Sequence, residues 1–292
     1  MKSCLLNICA LLITTCWLLP ADVSVADYYS PENILRFAGY LFEDGDYLRA
    51  AGEYQRFLFS FDSIPEQADS ILFQIAECYR LTEDYIRAIG QYQKIIDRYP
   101  RSRLKDECYY KISLCHMLMG RHDESIHFLY NHLSEPSNSS LSLRIQQLTA
   151  ANYLFQRRWQ AAINLFAIDS AYSKTTSHII NYASQGMQLP RKSSTLAGLY
   201  SAIVPGTGKF YCGRTVDGIQ SLATVGVLGW QSYTGFRDDG AGSVKGWVFG
   251  VIGGIFYLGN IYGSVVAAEI YNEEQAERLL QKVRVFVNVN FN

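Results

Sequence analysis

Four small residues, Ala50, Ala88, Ser125 and Ala162, stand 38, 37 and 37 residues apart, and the text around each is a version of the same hairpin. The clearest copy, residues 70–100, reads SILFQIAECYRLTEDYIRAIGQYQKIIDRYP. Leu72, Ile75, Ala76 and Tyr79 recur at helical spacing, and so do Ala88, Tyr92 and Ile95. Leu81 to Asp84 separates the two runs, and Pro100 cannot continue the second. Ala76 and Ala88 stand where the two helices cross closely, with Tyr79 and Tyr92 filling the space beside them. Upstream, DYLRAAGEY mirrors DYIRAIGQY, with Ile34, Phe37, Ala38, Leu41, Ala50, Tyr54 and Phe57 in register. A degraded third copy holds Tyr109, Ile112, Ser113, His116, Ser125 and Leu129. A fourth holds Ala150, Tyr153, Ala162 and Phe166, with Gln146 and Thr149 where large apolar residues are expected. A lone hairpin of this kind cannot bury its apolar face, so the copies are expected to stack as a solenoid.

Leu72, Ile75, Ala76, Tyr79, Ala88, Tyr92, Ile95 and Pro100 together resemble the tetratricopeptide repeat (TPR), whose pattern is large, large, small, aromatic, then Ala, aromatic, apolar and Pro. The resemblance implies a groove that takes protein partners. Aromatic content is 14%, with Tyr the largest share at 21 residues, and exposed tyrosines on a concave face suit protein recognition. A net charge of −1 argues against a nucleic-acid partner, which would call for a basic face.

The first 26 residues have the layout of a cleaved secretory signal peptide: one Lys, an apolar run from Cys4 to Leu19, then Ser24-Val25-Ala26. An uncleaved anchor helix is the competing reading, and either one exports the repeats. Three of the seven cysteines fall in this leader. Cys78 and Cys115 hold equivalent places in adjacent copies, which leaves a disulfide open, but buried free thiols are the simpler expectation. His116, His122, His127 and His132 share one copy yet lie on different helical faces without a close His-x3-His pair, so no metal site is expected.

After Asp169 the repeat fades into a polar linker, 170–192, with a weakly helical run from Ser177 to Met187 suited to capping the last copy. Gly218–Phe236 and Gly246–Ala268 are then two uncharged runs joined by a short polar connector, the pattern of a membrane helical hairpin. Gly246, Gly250 and Gly254 form a small-residue series that lets helix backbones approach in lipid. Trp230 and Trp247 stand beside the connector, where aromatics favour the interface. Pro205-Gly206-Thr207-Gly208-Lys209 is no phosphate loop, because Ile203 and Phe210 stand where glycine and a hydroxyl residue are required. Instead Pro205, Gly206, Gly208, Tyr211 and Gly213, with Asp217 and Gly218, resemble the P-G-x-G-x-x-Y-x-G lead-in of small bacterial membrane domains of unknown function. Phe256 to Ser264 fits their second helix, and Lys209 departs from their usual Gln. That resemblance implies two transmembrane helices and no known activity.

The tail begins as a charged helix, Glu269 to Lys282. Val283, Val285, Val287, Val289 and Phe291 then alternate with mostly polar residues, which predicts a short strand available to a partner's sheet edge or to a second copy.

The expected architecture is therefore all-α: a leader at 1–26, four TPR-like repeats at 27–169, a linker at 170–192, a membrane domain at 193–270, and a tail helix with strand at 271–292. The expected role is an exported scaffold for protein–protein interactions in a bacterial cell envelope, with periplasmic repeats, a membrane-held C-terminal hairpin and self-association as a further option. The alternative is a small transporter or channel component whose glycine-rich hairpin oligomerises. No nucleophile–base pair, paired carboxylates or ligand spacing points to an enzyme or a cofactor.

Overall fold

A computed structural model describes residues 29–60, 67–133, 139–166 and 173–291, and the leader lies outside them. Every regular element among the described residues is helical. The chain packs as two compact units, one ending at Ile145 and one beginning at Gln146.

The first unit holds α1 (Pro31–Glu43), α2 (Tyr47–Ser60), α3 (Ala68–Leu81), α4 (Tyr85–Arg98), α5 (Lys105–Leu118) and α6 (His122–His132), and each helix packs on the next. It also takes in the start of α7 (Ser139–Phe155). Ile34, Leu41, Phe57, Ile75, Tyr92, Ile95 and Ile112 form one continuous core through these layers.

One turn geometry recurs at four helix–helix turns. Gly45, Glu83, Gly120 and Arg157 all have positive φ, at 84°, 62°, 77° and 59°. The following residue's N–H reaches back to a carbonyl of the first helix: Asp46 to Leu41, Asp84 to Tyr79, and Arg121 to His116 at 2.9 Å, and Arg158 to Tyr153 at 2.8 Å. This is the Schellman closure, which satisfies carbonyls left open at a helix end. It recurs at Arg157, in the second unit. Asp84 also caps α4 through its side chain, accepting from the Arg87 N–H, and Asp46 does the same for Arg49. Arg121 and Arg158 hold the corresponding places and provide no side-chain cap.

In the second unit α7 continues into α8 (Trp159–Asn164), α9 (Lys174–Met187), α10 (Ser194–Ile203), α11 (Thr207–Tyr211), α12 (Thr215–Asp239), a 3-10 turn at Gly240–Gly242, and α13 (Val244–Asn290). The 47 residues of α13 run to about 70 Å at 1.5 Å per residue. It packs on α9, α10, α11 and α12 in turn.

The C-terminal strand expected from the Val283–Phe291 alternation is not formed: α13 continues through it to Asn290. The alternation overlies a second pattern, Ala276, Leu279, Leu280, Val283, Phe286 and Val287, whose three-and-four spacing makes one buried helical stripe. Phe286 packs against His178 and Tyr182 of α9, with centroids 5.7 and 5.5 Å away. No other strand exists among the described residues to pair with, whereas α9 offers a packing face. Tertiary burial therefore overrides β propensity here.

The two geometries separate Val287 from Val289. A strand would place both on one face, but Val287 is 2% exposed and Val289 77%. Val287→Ala is expected to cost about 2 kcal/mol, and Val289→Ala to stay within about 0.5 kcal/mol of the parent, as read by thermal melting of the full chain in detergent. Equal costs would restore the strand.

Candidate functional site

The small residues Ala38, Ala50, Ala76, Ala88, Ser113, Ser125, Ala150 and Ala162 are all completely buried. Ser113 Oγ lies 2.9 Å from both the carbonyl and the hydroxyl oxygen of Ser125, so the degraded copy replaces an Ala–Ala crossing with a hydrogen-bonded Ser pair. Tyr79 receives a hydrogen bond from Gln55 Nε2 at 2.9 Å, which ties it to the preceding hairpin. Tyr92 meets Phe73 edge-on at 5.5 Å.

Beside Tyr92 lies a charged cluster that apolar periodicity does not reveal. Glu77 and Arg80 are only 9% and 4% exposed. Arg80 donates to Glu77 Oε2 at 2.8 Å, Lys111 of α5 reaches the same oxygen at 3.2 Å, and the Tyr92 hydroxyl donates to Oε1. Burial alone would raise the Glu77 carboxyl, but the Arg80 hydrogen bonds and the Lys111 charge outweigh it and hold it below its ordinary value. Burial and the carboxylate push the Tyr92 phenol up. Since every polar group here is answered, the cluster fixes one packing of α3, α4 and α5 rather than offering a reactive group. The sequence signal for it is Glu77 itself, at a place where the other copies have Gly39, Leu114 and Ala151.

Because its pKa in the folded chain is lowered, Glu77 contributes stability above the unfolded value near 4.5, and this is lost as pH falls through the folded value. Glu77→Gln is expected to flatten that acid limb. It should also cost about 3–5 kcal/mol at neutral pH by leaving Arg80 buried without its counter-charge. Acid titration followed by circular dichroism checks both.

Cys78, Cys108, Cys115 and Cys212 are free and buried, and burial pushes the first three thiols up to about 12. The histidines take separate contacts. His116 lies 3.3 Å from Glu124, His127 meets Asn131 at 2.9 Å, and His132 stacks on Tyr109 at 4.6 Å. No three ligating groups converge among the described residues.

The first copy differs from the next two on one face. Ile75 and Cys78 are 1% and 0% exposed, and Ile112 and Cys115 equally so, with α2 packed on α3 and α4 on α5. The corresponding Phe37 and Tyr40 of α1 are 42% and 60% exposed and stack on each other at 6.4 Å.

In the second unit the P-G-x-G-x-x-Y-x-G residues build a corner. Val204 is extended, as the residue before Pro205 must be. Gly206 is left-handed at φ 90°, and Thr207 N–H bonds the Val204 carbonyl, a type II turn. A Cβ on Gly206 would lie 2.2 Å from the Gly218 carbonyl oxygen, and one on Gly208 1.9 Å from that of Ala197, so α10, α11 and α12 meet backbone to backbone. Gly208 N–H donates to Ser201 Oγ at 2.9 Å, Ser201 pairs with Ser264 at 2.7 Å, and Ser264 donates to the Asn260 carbonyl at 2.9 Å. This buried relay fastens the corner to α13. Tyr211 accepts from Ser193 N–H at 3.2 Å, meets the Tyr200 ring edge-on and carries Lys192 over its own ring at 4.5 Å. Gly213 closes α11 with the same Schellman bonds as the repeats. Every motif residue thus has a packing task. Gly208→Ala should cost about 3 kcal/mol through the forced separation of α10 and α11, while Gly226→Ala, with nothing within 4 Å, should be tolerated. Melting of both variants checks this.

Along the α12–α13 seam, a Cβ on Gly246 would meet the Phe236 ring at 2.7 Å and one on Gly250 the Ser232 Oγ at 2.9 Å. The third close approach is Gly253 against Leu228 at 3.3 Å. Gly254 has nothing within 4 Å, because a step of three rather than four keeps the stripe facing α12. Among the described residues α13 is long and apolar enough to cross a membrane by length and composition, and α12, with Gln220, Gln231 and Arg237 in it, is not.

Residues 70–102, spanning α3, its turn and α4, match the tetratricopeptide repeat family model. Comparison with curated proteins finds no match. The described residues are therefore all-α and carry, at 70–102, a match to the tetratricopeptide repeat, a module that generally binds protein partners and suggests a role in protein–protein interaction.

Proposed function

We infer that this chain is an exported, membrane-anchored scaffold whose four hairpins are all tetratricopeptide-like and bind a protein partner in a bacterial envelope assembly. The observation that carries the reading is the Phe37–Tyr40 face: positions sealed in the second and third copies are open in the first. A stacked aromatic pair on a rigid helix is an anchor of the type that dominates interfaces.

Membrane anchoring has its support in α12 and α13. Val227, Trp230, Val251, Ile255, Leu258 and Tyr262 are all exposed, and exposed apolar side chains grouped on neighbouring helices are what a membrane or partner surface calls for. Arg157, in the turn of the last hairpin, makes a two-pronged ion pair with Glu273 beyond the apolar part of α13. With α13 taken as membrane-spanning, this pair supports a topology in which the last repeat and the helix tail share one side of the bilayer and the 237–245 connector lies on the other.

The test is recovery of partners from crosslinked membranes. Phe37→Ser with Tyr40→Ser in the full chain should lower recovery at least about tenfold while leaving the melting temperature unchanged, since both rings face solvent. Undiminished recovery would remove this face from the interaction.

A further inference from the structure

The second unit contains a cleft of about 460 Å³ between the first turns of α12 and the middle of α13, roofed by Lys209 of α11. Asn260 lies in its wall, is 5% exposed, and neither its amide nitrogen nor its amide oxygen has a hydrogen-bond partner among the described residues. A buried amide with both ends unanswered is uncommon and costly, and such a group marks a place where something else completes the bonding. Its chemistry is specific: it asks for a ligand that both accepts and donates.

Lys209 adds charge. Its Nζ donates to Ser221 Oγ at 2.7 Å, and Ser221 passes its own proton to the Asp217 carbonyl at 2.8 Å. One of three ammonium protons is thereby used, which leaves two for an anion. The Asp217 carboxylate also borders the cleft, and Arg214 at 3.7 Å answers its charge. Gln220 contributes a further amide at the rim. Thr224 adds a hydroxyl, and the apolar part of the wall, Val225, Ile255 and Phe256, leads onto the exposed faces of α12 and α13.

We propose that this cleft binds an anionic amphiphile, its phosphate on Lys209, its headgroup hydroxyl on Asn260, and its acyl chain along Ile255 and Phe256. A phosphoglycerol lipid has this chemistry. The cleft lies beside the first turns of α12, with Lys209 supplied by α11 and Asn260 by α13; a headgroup would sit there if α12 and α13 span a bilayer, and in this respect the assignment rests on the membrane reading above.

Purified full-length chain in an uncharged detergent is mixed with phosphatidylglycerol, with phosphatidylcholine of the same acyl chains, or with glycerol phosphate, and bound ligand is counted by native mass spectrometry. Phosphatidylglycerol should be retained over both others. Lys209→Ala and Asn260→Ala should each weaken it about tenfold, the loss of one charge-assisted or buried hydrogen bond, and Lys209→Arg should retain most of it. The proposal is overturned if the parent shows no preference for phosphatidylglycerol, if glycerol phosphate binds as well, or if both alanine variants bind like the parent. It is also overturned if Asn260→Ala instead dissolves a dimer, since a second copy would then be what answers the amide. Sedimentation with carbonate-washed membranes reads the anchoring claim separately, and the detergent measurement stands whichever way that falls.

Discussion

The close crossing of two helices at a pair of small side chains is what each hairpin depends on. With Ala76 and Ala88 fully buried at the contact, the helices approach until Tyr92, Ile75 and Ile95 close the space on either side. That approach requires a short turn, and the turn requires a residue at positive φ. Glycine meets the requirement in two copies; Glu83 and Arg157 meet it at a steric cost of about 1 kcal/mol. Arg121 and Arg158 provide no side-chain cap, while the turns before them keep a residue at positive φ. Residues 70–102 match the family model.

The same logic of backbone contact without side chains builds the C-terminal unit by other means. Gly206 against Gly218, Gly208 against Ala197, and Gly235 against Gly246 are all approaches that a methyl group would prevent. The lead-in motif is a corner that sets α10, α11 and α12 against the long α13. Its rigidity holds Lys209 over the cleft and keeps Asn260 in the wall opposite. A site formed in this way is positioned by packing, not by loops, which suits a ligand recognised at few points.

The helical character of the described residues, and the repeat at 70–102, were legible in the residues because a helical period and a turn recur there. Less legible were features that depend on which neighbours a helix finds. Val283 to Phe291 reads equally as alternation or as part of a helical stripe, and only the α9 face containing His178 and Tyr182 decides between them. Gly254 looked like the third member of a step-of-four series, but the packing stripe turns to Gly253. The Glu77–Arg80–Lys111 cluster draws on two copies, and pattern matching within a single copy cannot see it. Asn260 lies within an apolar run, and its unanswered amide is visible only with its surroundings in place.

Hydrogen exchange at one amide tests the shared hairpin most directly. The Arg158 N–H, bonded to the Tyr153 carbonyl at 2.8 Å, is the counterpart in the most divergent copy of the Asp84 N–H bonded to Tyr79. If the crossing and turn define every copy, the Arg158 amide should be protected to a degree comparable with Asp84, in the full chain held in detergent. Exchange at Arg158 at the rate of an open chain, with Asp84 protected, would confine the repeat to its clearest copy and contradict the fourfold register.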